Sequence, residues 1–269
     1  MIISLARIIM LTWFALALIA WTVDLDSNQI NLEQIFAAPS LNSLYSLLGY
    51  DELGRSLVLR LIDGAGVSLF VALSTVTLSA VIGTFIGALA GYIGGRTDRA
   101  ISRVIDIFLA FPGLLLAIAL AGMLGPGLSN VVIALSIMGW VGYARLMRNQ
   151  VLSIRSRDHV SSALALGRDS LSIIRLHIIP LALAPVWIEV SYGIAGAIIA
   201  EAGLSFLGLG VQPPQASWGN MIREGVRYLL VAPHAVLAPG IALSLVVLSA
   251  NVLGDAMRDR LDVKFQRQR

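Results

Sequence analysis

The chain has 269 residues, of which 57% are apolar and only 13% charged, and its mean hydropathy is +0.84. Soluble domains carry roughly a quarter of charged residues, so this is the sequence of an integral membrane protein, with an all-α fold expected. It has no cysteine, which excludes disulfides, thiolate metal sites and cysteine nucleophiles, and its net charge of +3 comes from basic residues at the ends of apolar runs, which membrane topology explains better than nucleic acid does.

A helix needs about 20 apolar residues to cross the hydrocarbon, and uncharged runs predict six crossings. The first covers roughly Ile8 to Val23. Arg7 ahead of it, with Ala15-Leu16-Ala17 as a cleavage site, also fits a signal peptide, whereas an anchor gives an even span count with both ends on one side. The second lies within Ala65 to Gly95, where Gly83, Gly87, Gly91 and Gly95 recur on one helix face; they allow close helix approach, either inside the subunit or at an interface. The run from Ile107 to Ala144 is too long for one span and breaks at Gly125-Pro126-Gly127, giving the third and fourth. The fifth runs roughly from Ile178 to Ala200 and the sixth roughly from Tyr228 to Gly254.

Alternate threading puts fifteen of the 19 basic residues on one side and leaves Arg55, Arg60, Arg223 and Arg227 on the other. The positive-inside rule makes the side with fifteen cytoplasmic, with both termini there. Glu189 and Glu201 fall inside the fifth span, where a carboxylate is a functional candidate by default. Proton coupling is one reading. Glu201, near the outer end, suits hydrogen bonding or wetting, and Glu189 is expected to face an aqueous cavity.

Energy-coupling chemistry is absent from the chain. The only lysine, Lys264, precedes Phe265, so there is no P-loop; His159, His177 and His234 lack zincin spacing, and no nucleophile-elbow serine occurs.

The longest cytoplasmic loop carries SSALALGRDSLSIIRLHIIP, Ser161 to Pro180. Val160, Ala163, Leu164 and Gly167 fall at helical spacing, and Gly167 suits the left-handed position that ends a helix. Asp169 or Ser170 can cap a second helix through Leu171, Ile174 and Ile178, with Pro180 in the first turn of the span beyond. The expected product is a helix, a glycine turn and a helix, unless the segment simply lies on the lipid surface.

These residues resemble the EAA loop of ABC importer permeases, in which a coupling helix sits in a groove of the cytoplasmic ATPase subunit. Gly167, Ala163, Ile178 and Pro180 match that pattern; Ser161 and Ser162 stand where glutamate and alanine are usual. GYDELGRSLVLRLIDGAGVSL, Gly49 to Leu69, resembles the segment ahead of the second span in the C-type dipeptide, oligopeptide and nickel permeases, with Tyr50, Ser56 and Gly66 departing from it. LSFLGLGVQPPQASWGNMI, Leu204 to Ile222, resembles the external loop of that family, LGDAMRDRLD its cytoplasmic tail, and Gly91 to Pro112 its first cytoplasmic loop and third span.

The resemblance implies an all-α, six-span type I ABC importer permease without catalytic residues or cofactors of its own. Residues 1–65 would form an anchor and external segment, and residues 66–269 a five-span core with the EAA loop at 153–180. Partners would be a homologous second permease, two cytoplasmic ATPases that bind ATP and Mg, and an extracytoplasmic substrate-binding protein, in the bacterial inner membrane. Val160, Ser161, Ser162, Ala163, Leu164, Gly167 and Asp169 are the coupling candidates. Asp51, Gly54, Arg55, Gln212 and Trp218 are candidates for binding-protein docking or an outer gate, although Trp218 also fits an interfacial aromatic belt. Glu189 is the pathway candidate. The implied substrate is a di- or oligopeptide, with nickel or a nickel chelate as the alternative; the rivals are an ion-coupled secondary transporter, which would leave the loop unexplained, and a non-transport scaffold, which loss of binding-protein docking or of uptake would argue against.

Overall fold

A computed structural model describes residues 1–266, apart from the side chains at positions 159, 161, 164, 170, 171 and 261–266. The coupling candidates Ser161 and Leu164 therefore have side chains outside the described residues. Among the described residues the secondary structure is helical, with one isolated bridge between Tyr50 and Ser56.

Among the described residues five helices are long and apolar enough to cross a bilayer, and a bent pair brings the number to six if it is counted as one span. Helix α1, Ile2–Thr22, buries Ala6, Trp13 and Ala17 and leaves Ile8, Leu11 and Leu18 exposed. Helix α2, Leu57–Ile93, is 37 residues long. At about 1.5 Å per residue it is ~55 Å long, well beyond the ~30 Å hydrocarbon thickness. It begins earlier than the uncharged run does, because Arg60 is neutralised by partners described below. The 65/66 boundary expected between an anchor and a core accordingly falls inside an unbroken helix.

The third crossing differs from expectation. Helix α3, Gly95–Leu109, ends ahead of Pro112, and α4, Gly113–Leu124, leaves it at 84°. Pro112 has no N–H to donate and disfavours a helical residue at Phe111, so the uncharged run breaks there. The predicted break at Gly125-Pro126-Gly127 is present, with Gly125 at φ +85 and Gly127 at φ +147. Asn130 Nδ2 donates to the carbonyls of Leu124 and Gly125 at 3.0 Å each, which caps the end of α4.

Helix α5, Leu128–Arg155, is followed by α6, Asp158–Ala165, and α7, Ser170–Ile173. A wide turn over Ile174–Ile178 then joins α7 to α8, Ile179–Phe206. Pro180 lies in the first turn of α8, as expected; the wider turn before it accommodates the proline ring that a regular helix would reject. Helix α9, Trp218–Val226, and α10, His234–Gln266, complete the chain.

The chain divides into two compact units. One comprises residues 1–74, 118–134 and 194–253, and the other residues 75–117, 135–193 and 254–269. In the first, the Trp13 indole donates to Ser68 Oγ at 3.2 Å, and a Cβ on Gly66 would stand 3.0 Å from Ala20 Cβ. Gly66, a departure from the family pattern, thus lets α1 lie against α2. In the second unit, Gly83, Gly87 and Gly91 meet α5: a Cβ on each would stand 2.3, 2.2 and 2.8 Å from the carbonyl oxygens of Trp140, Ala144 and Arg148. The glycine face therefore packs within the subunit. Gly95 does not belong to it, since it opens α3 with φ +60 and open space around it.

Candidate functional site

Two constellations stand out, one in each unit. The first begins at Gly49–Ser56, where the chain turns back on itself ahead of α2. Asp51 organises the turn: Oδ1 accepts from the Leu53 and Arg55 amides, each at 2.9 Å, and Oδ2 accepts from Arg55 Nε at 2.6 Å. Gly54 is required twice over. Its φ is +68, and a Cβ there would stand 1.8 Å from the Asn31 carbonyl oxygen.

Arg55 continues to Glu52 at 3.0 Å and to Glu224 at 3.5 Å. From the first turn of α2, Arg60 reaches Asp51 at 3.4 Å and Glu224 at 3.2 Å, and its Nη1 donates to Asn28 Oδ1 and Pro214 O, each at 3.4 Å. Arg60 is 1% exposed, Arg55 3% and Asp51 4%. Such buried charges persist only when paired and hydrogen-bonded. Burial pushes the Glu224 carboxyl above its ordinary range, while Arg60 and Arg55 draw it back down.

Trp218 lies beside this cluster and inside the unit, 2% exposed, with its indole N–H donating to Leu61 O at 3.0 Å. The aromatic-belt reading is thereby corrected: a belt tryptophan faces the bilayer interface, and this one is a core residue. Gly64 makes room for it, since a Cβ there would stand 2.5 Å from Trp218 Cδ1. Gln212 and Gln215 are exposed on the loop before α9. The structure thus joins Asp51, Gly54 and Arg55 in one buried scaffold, puts Trp218 in the same core, and leaves Gln212 at the surface. Arg60, Glu224 and Asn220, whose amide donates to Glu224 Oε1 at 3.3 Å, complete the cluster. The sequence reading did not place them in the site; the available signal was that charges of both signs, Asp51, Glu52, Arg55 and Arg60 in one segment and Arg223 and Glu224 in the other, concentrate here in a chain only 13% charged.

Glu201 is 1% exposed, and its Oε1 accepts from Ser205 Oγ at 2.6 Å, the hydrogen-bonded alternative expected for it. Glu189 is half-buried in the other unit, and its carboxylate has no hydrogen bond or ion pair among the described residues. The Tyr143 hydroxyl donates to its backbone oxygen at 3.4 Å, and a Cβ on Gly142 would lie 3.8 Å from its Oε1.

The second constellation is the α6–turn–α7 segment. Val160 and Ala163 are buried, 0% and 8% exposed, and anchor one face of α6. The Arg168 amide closes back on Ala163 O at 3.1 Å around Gly167 at φ +77, the capping pattern that requires a left-handed residue. Asp169 caps α7, its Oδ2 accepting from the Ser172 amide at 3.0 Å. Ser162, Gly167 and Asp169 are exposed, and Leu166 projects at 85% exposure. Leu166 was missed because apolar periodicity places it off the packed face; a lone large apolar residue before a capping glycine is the signal.

A multi-span helical protein with an exposed helix–glycine–helix tip and a buried ion scaffold has the build of a transport permease. Residues 83–267 match the family described as binding-protein-dependent transport system inner membrane component, and the chain belongs to that family. It is 42% identical over 218 residues to the dipeptide transport system permease protein DppC of Alkalihalophilus pseudofirmus, covering 81% of this chain and 72% of that one. Identity is 41% over 219 residues to the glutathione transport system permease protein GsiD of Pectobacterium atrosepticum, covering 81% and 73%. It is 39% over 249 residues to the di/tripeptide transport system permease protein DppC of Pseudomonas aeruginosa, covering 91% and 82%. The fold is similar to that of the inward-facing MetNI methionine ABC transporter, with a TM-score of 0.56, 18% identity and coverage of 74% of this chain and 96% of that one. The chain is thus a multi-pass permease component of an ABC importer.

Proposed function

We propose that this chain forms half of a translocation pathway for short peptides and transmits ATPase movement through the α6–Gly167–α7 segment. The relatives named for dipeptides, di/tripeptides and glutathione support the substrate class, since all three are short peptides; none of these three is named for nickel. A homologous second permease, two ATP-binding subunits and an external binding protein complete the machine. ATP and Mg belong to the ATPase subunits.

The observation that carries the coupling assignment is the shape of the segment. Val160 and Ala163 fix it to the subunit, while Ser162, Leu166, Gly167 and Asp169 face outward. A rigidly held apolar tip can carry a push from a partner's groove into α5 and α8, which flank it in sequence. The helices then open the pathway to alternate sides. The charge asymmetry supports placing this loop and both termini in the cytoplasm. In that orientation the Arg60–Glu224 cluster lies on the external side, holds the segments at 49–60 and 212–223 together, and presents Gln212 and Gln215 to the binding protein. Glu189 is assigned to the pathway.

Reconstituted complex tests the function: labelled dipeptide should accumulate in proteoliposomes only with ATP and the binding protein. Accumulation driven by a proton gradient alone would point to a secondary transporter and refute the proposal.

A further inference from the structure

Helix α3 has one face packed and one face bare. On the packed side, Ile105 is buried with Val141 and Ala144, and Ile101, Phe108 and Trp140 close around them. The Phe108 and Trp140 rings meet edge-on at 5.6 Å. Asp98 adds an ion pair to Arg148, whose Nη2 donates to Oδ2 at 2.8 Å. These contacts fix the helix in rotation, so its opposite face is held outward.

That outward face reads Arg96, Arg99, Arg103 and Ile107, spaced as neighbours along one helical stripe. All three arginines are exposed and none makes an ion pair among the described residues; Arg99 Nε donates to Gly95 O at 3.3 Å. Farther along, the surface turns apolar, with Val104, Ile107 and Phe111 at 43%, 61% and 55% exposure. Beside the stripe lies a cleft of about 270 Å³ lined by Ser102, Asp106, Arg145, Arg148 and Asn149. The Ser102 hydroxyl there is buried and unpartnered, and Arg145 is exposed without an ion pair among the described residues.

We propose that the bare face of α3 binds an anionic phospholipid, with its phosphate at Arg96, Arg99 and Arg103 and its acyl chains along Val104, Ile107 and, past the helix end, Phe111. An acidic protein surface would satisfy the arginines but leave the apolar half uncovered. A lipid supplies both chemistries in the order in which they occur along the helix. The 84° bend to α4 turns α3 away from the apolar run that follows it, as suits an amphipathic helix lying along the bilayer surface. Phosphate oxygens accept bidentate bonds from arginine, and the Ser102, Arg145 and Asn149 donors in the neighbouring cleft can extend the headgroup site. Asp106 is the one carboxylate lining that cleft.

The test uses the complete importer complex in nanodiscs of phosphatidylglycerol with phosphatidylcholine, and reads lipid retention on the released complex by native mass spectrometry. The expected result is preferential retention of phosphatidylglycerol, with R96Q/R99Q/R103Q retaining it at least tenfold less, about what the loss of several arginine–headgroup attractions gives. The variant R96K/R99K/R103K should recover most of the preference, and all forms should melt alike in phosphatidylcholine alone. Equal retention by the glutamine variant, or equal retention of both lipids by the wild type, overturns the site. So does a glutamine variant that loses its ATPase subunits while keeping phosphatidylglycerol, which would make the face a protein contact.

Discussion

Arg60 and Glu224 stand 164 residues apart in sequence and meet at 3.2 Å, with the Arg60 side chain 1% exposed. The pair ties the start of α2 to α9. Removing one member of a buried pair costs about 3–5 kcal/mol, because the other charge is left without compensation. Arg60→Ala is expected to cost ~3 kcal/mol, seen as a lower thermal midpoint in detergent. Glu224→Gln should cost less, since Asp51 still pairs with both arginines. The double variant should be milder than the sum by about 1–2 kcal/mol, as residues in one network couple. Additive losses would mean that the pair is not coupled.

The same cluster sets a pH dependence. Glu224 is held above its ordinary range, chiefly by burial. A raised carboxyl binds its proton more tightly folded than unfolded, so its contribution to stability is complete below the unfolded value and is lost as pH rises through the folded one. The wild type should therefore lose stability relative to Glu224→Gln as pH rises above the usual glutamate range. Parallel stability curves for the two proteins would contradict this.

Gly64 and Trp218 form a steric pair: a Cβ on Gly64 would stand 2.5 Å from the Trp218 ring. Gly64→Ala should destabilise by about 1–3 kcal/mol through overpacking. Trp218→Phe, milder alone, should relieve much of that loss in the double variant. Thermal unfolding of the four proteins provides the check.

Topology is accessible because the chain has no cysteine. Single cysteines at Ser162 and Gln215, both exposed, should label from opposite faces of the membrane, Gln215 from outside. Labelling of both from one face would refute the proposed threading.

Much of this fold was legible because lipid imposes long apolar runs, and the Gly125-Pro126-Gly127 break and the Gly167 cap are written in residues with special backbone preferences. What escaped followed from tertiary compensation. The start of α2 was hidden because Arg60 and Asp63 look like the end of a span until Glu224 and Asp51 are seen to neutralise Arg60. The bend at Pro112 was hidden because an uncharged run says nothing about direction. Trp218, a docking or outer-gate candidate, also fitted an interfacial belt because indoles often lie there, and only the space left by Gly64 shows it to be core. Leu166 lay off the packed face and therefore outside the periodic pattern.

The central claim is that the tip of the α6–α7 segment transmits force, and Leu166 and Gly167 isolate it. A Cβ on Gly167 would meet nothing within 4 Å of this chain, so Gly167→Val bears only the strain of a left-handed backbone, about 1 kcal/mol or more. Leu166→Glu, at an exposed position, should leave the subunit's own stability within about 0.5 kcal/mol. The decisive measurement is ATPase co-purification together with ATP-driven dipeptide uptake in proteoliposomes for these two variants, each first shown to insert and to pair with the partner permease. Both should lose ATPase association, uptake or both, by at least tenfold; wild-type association with fully coupled uptake in both would contradict the coupling role.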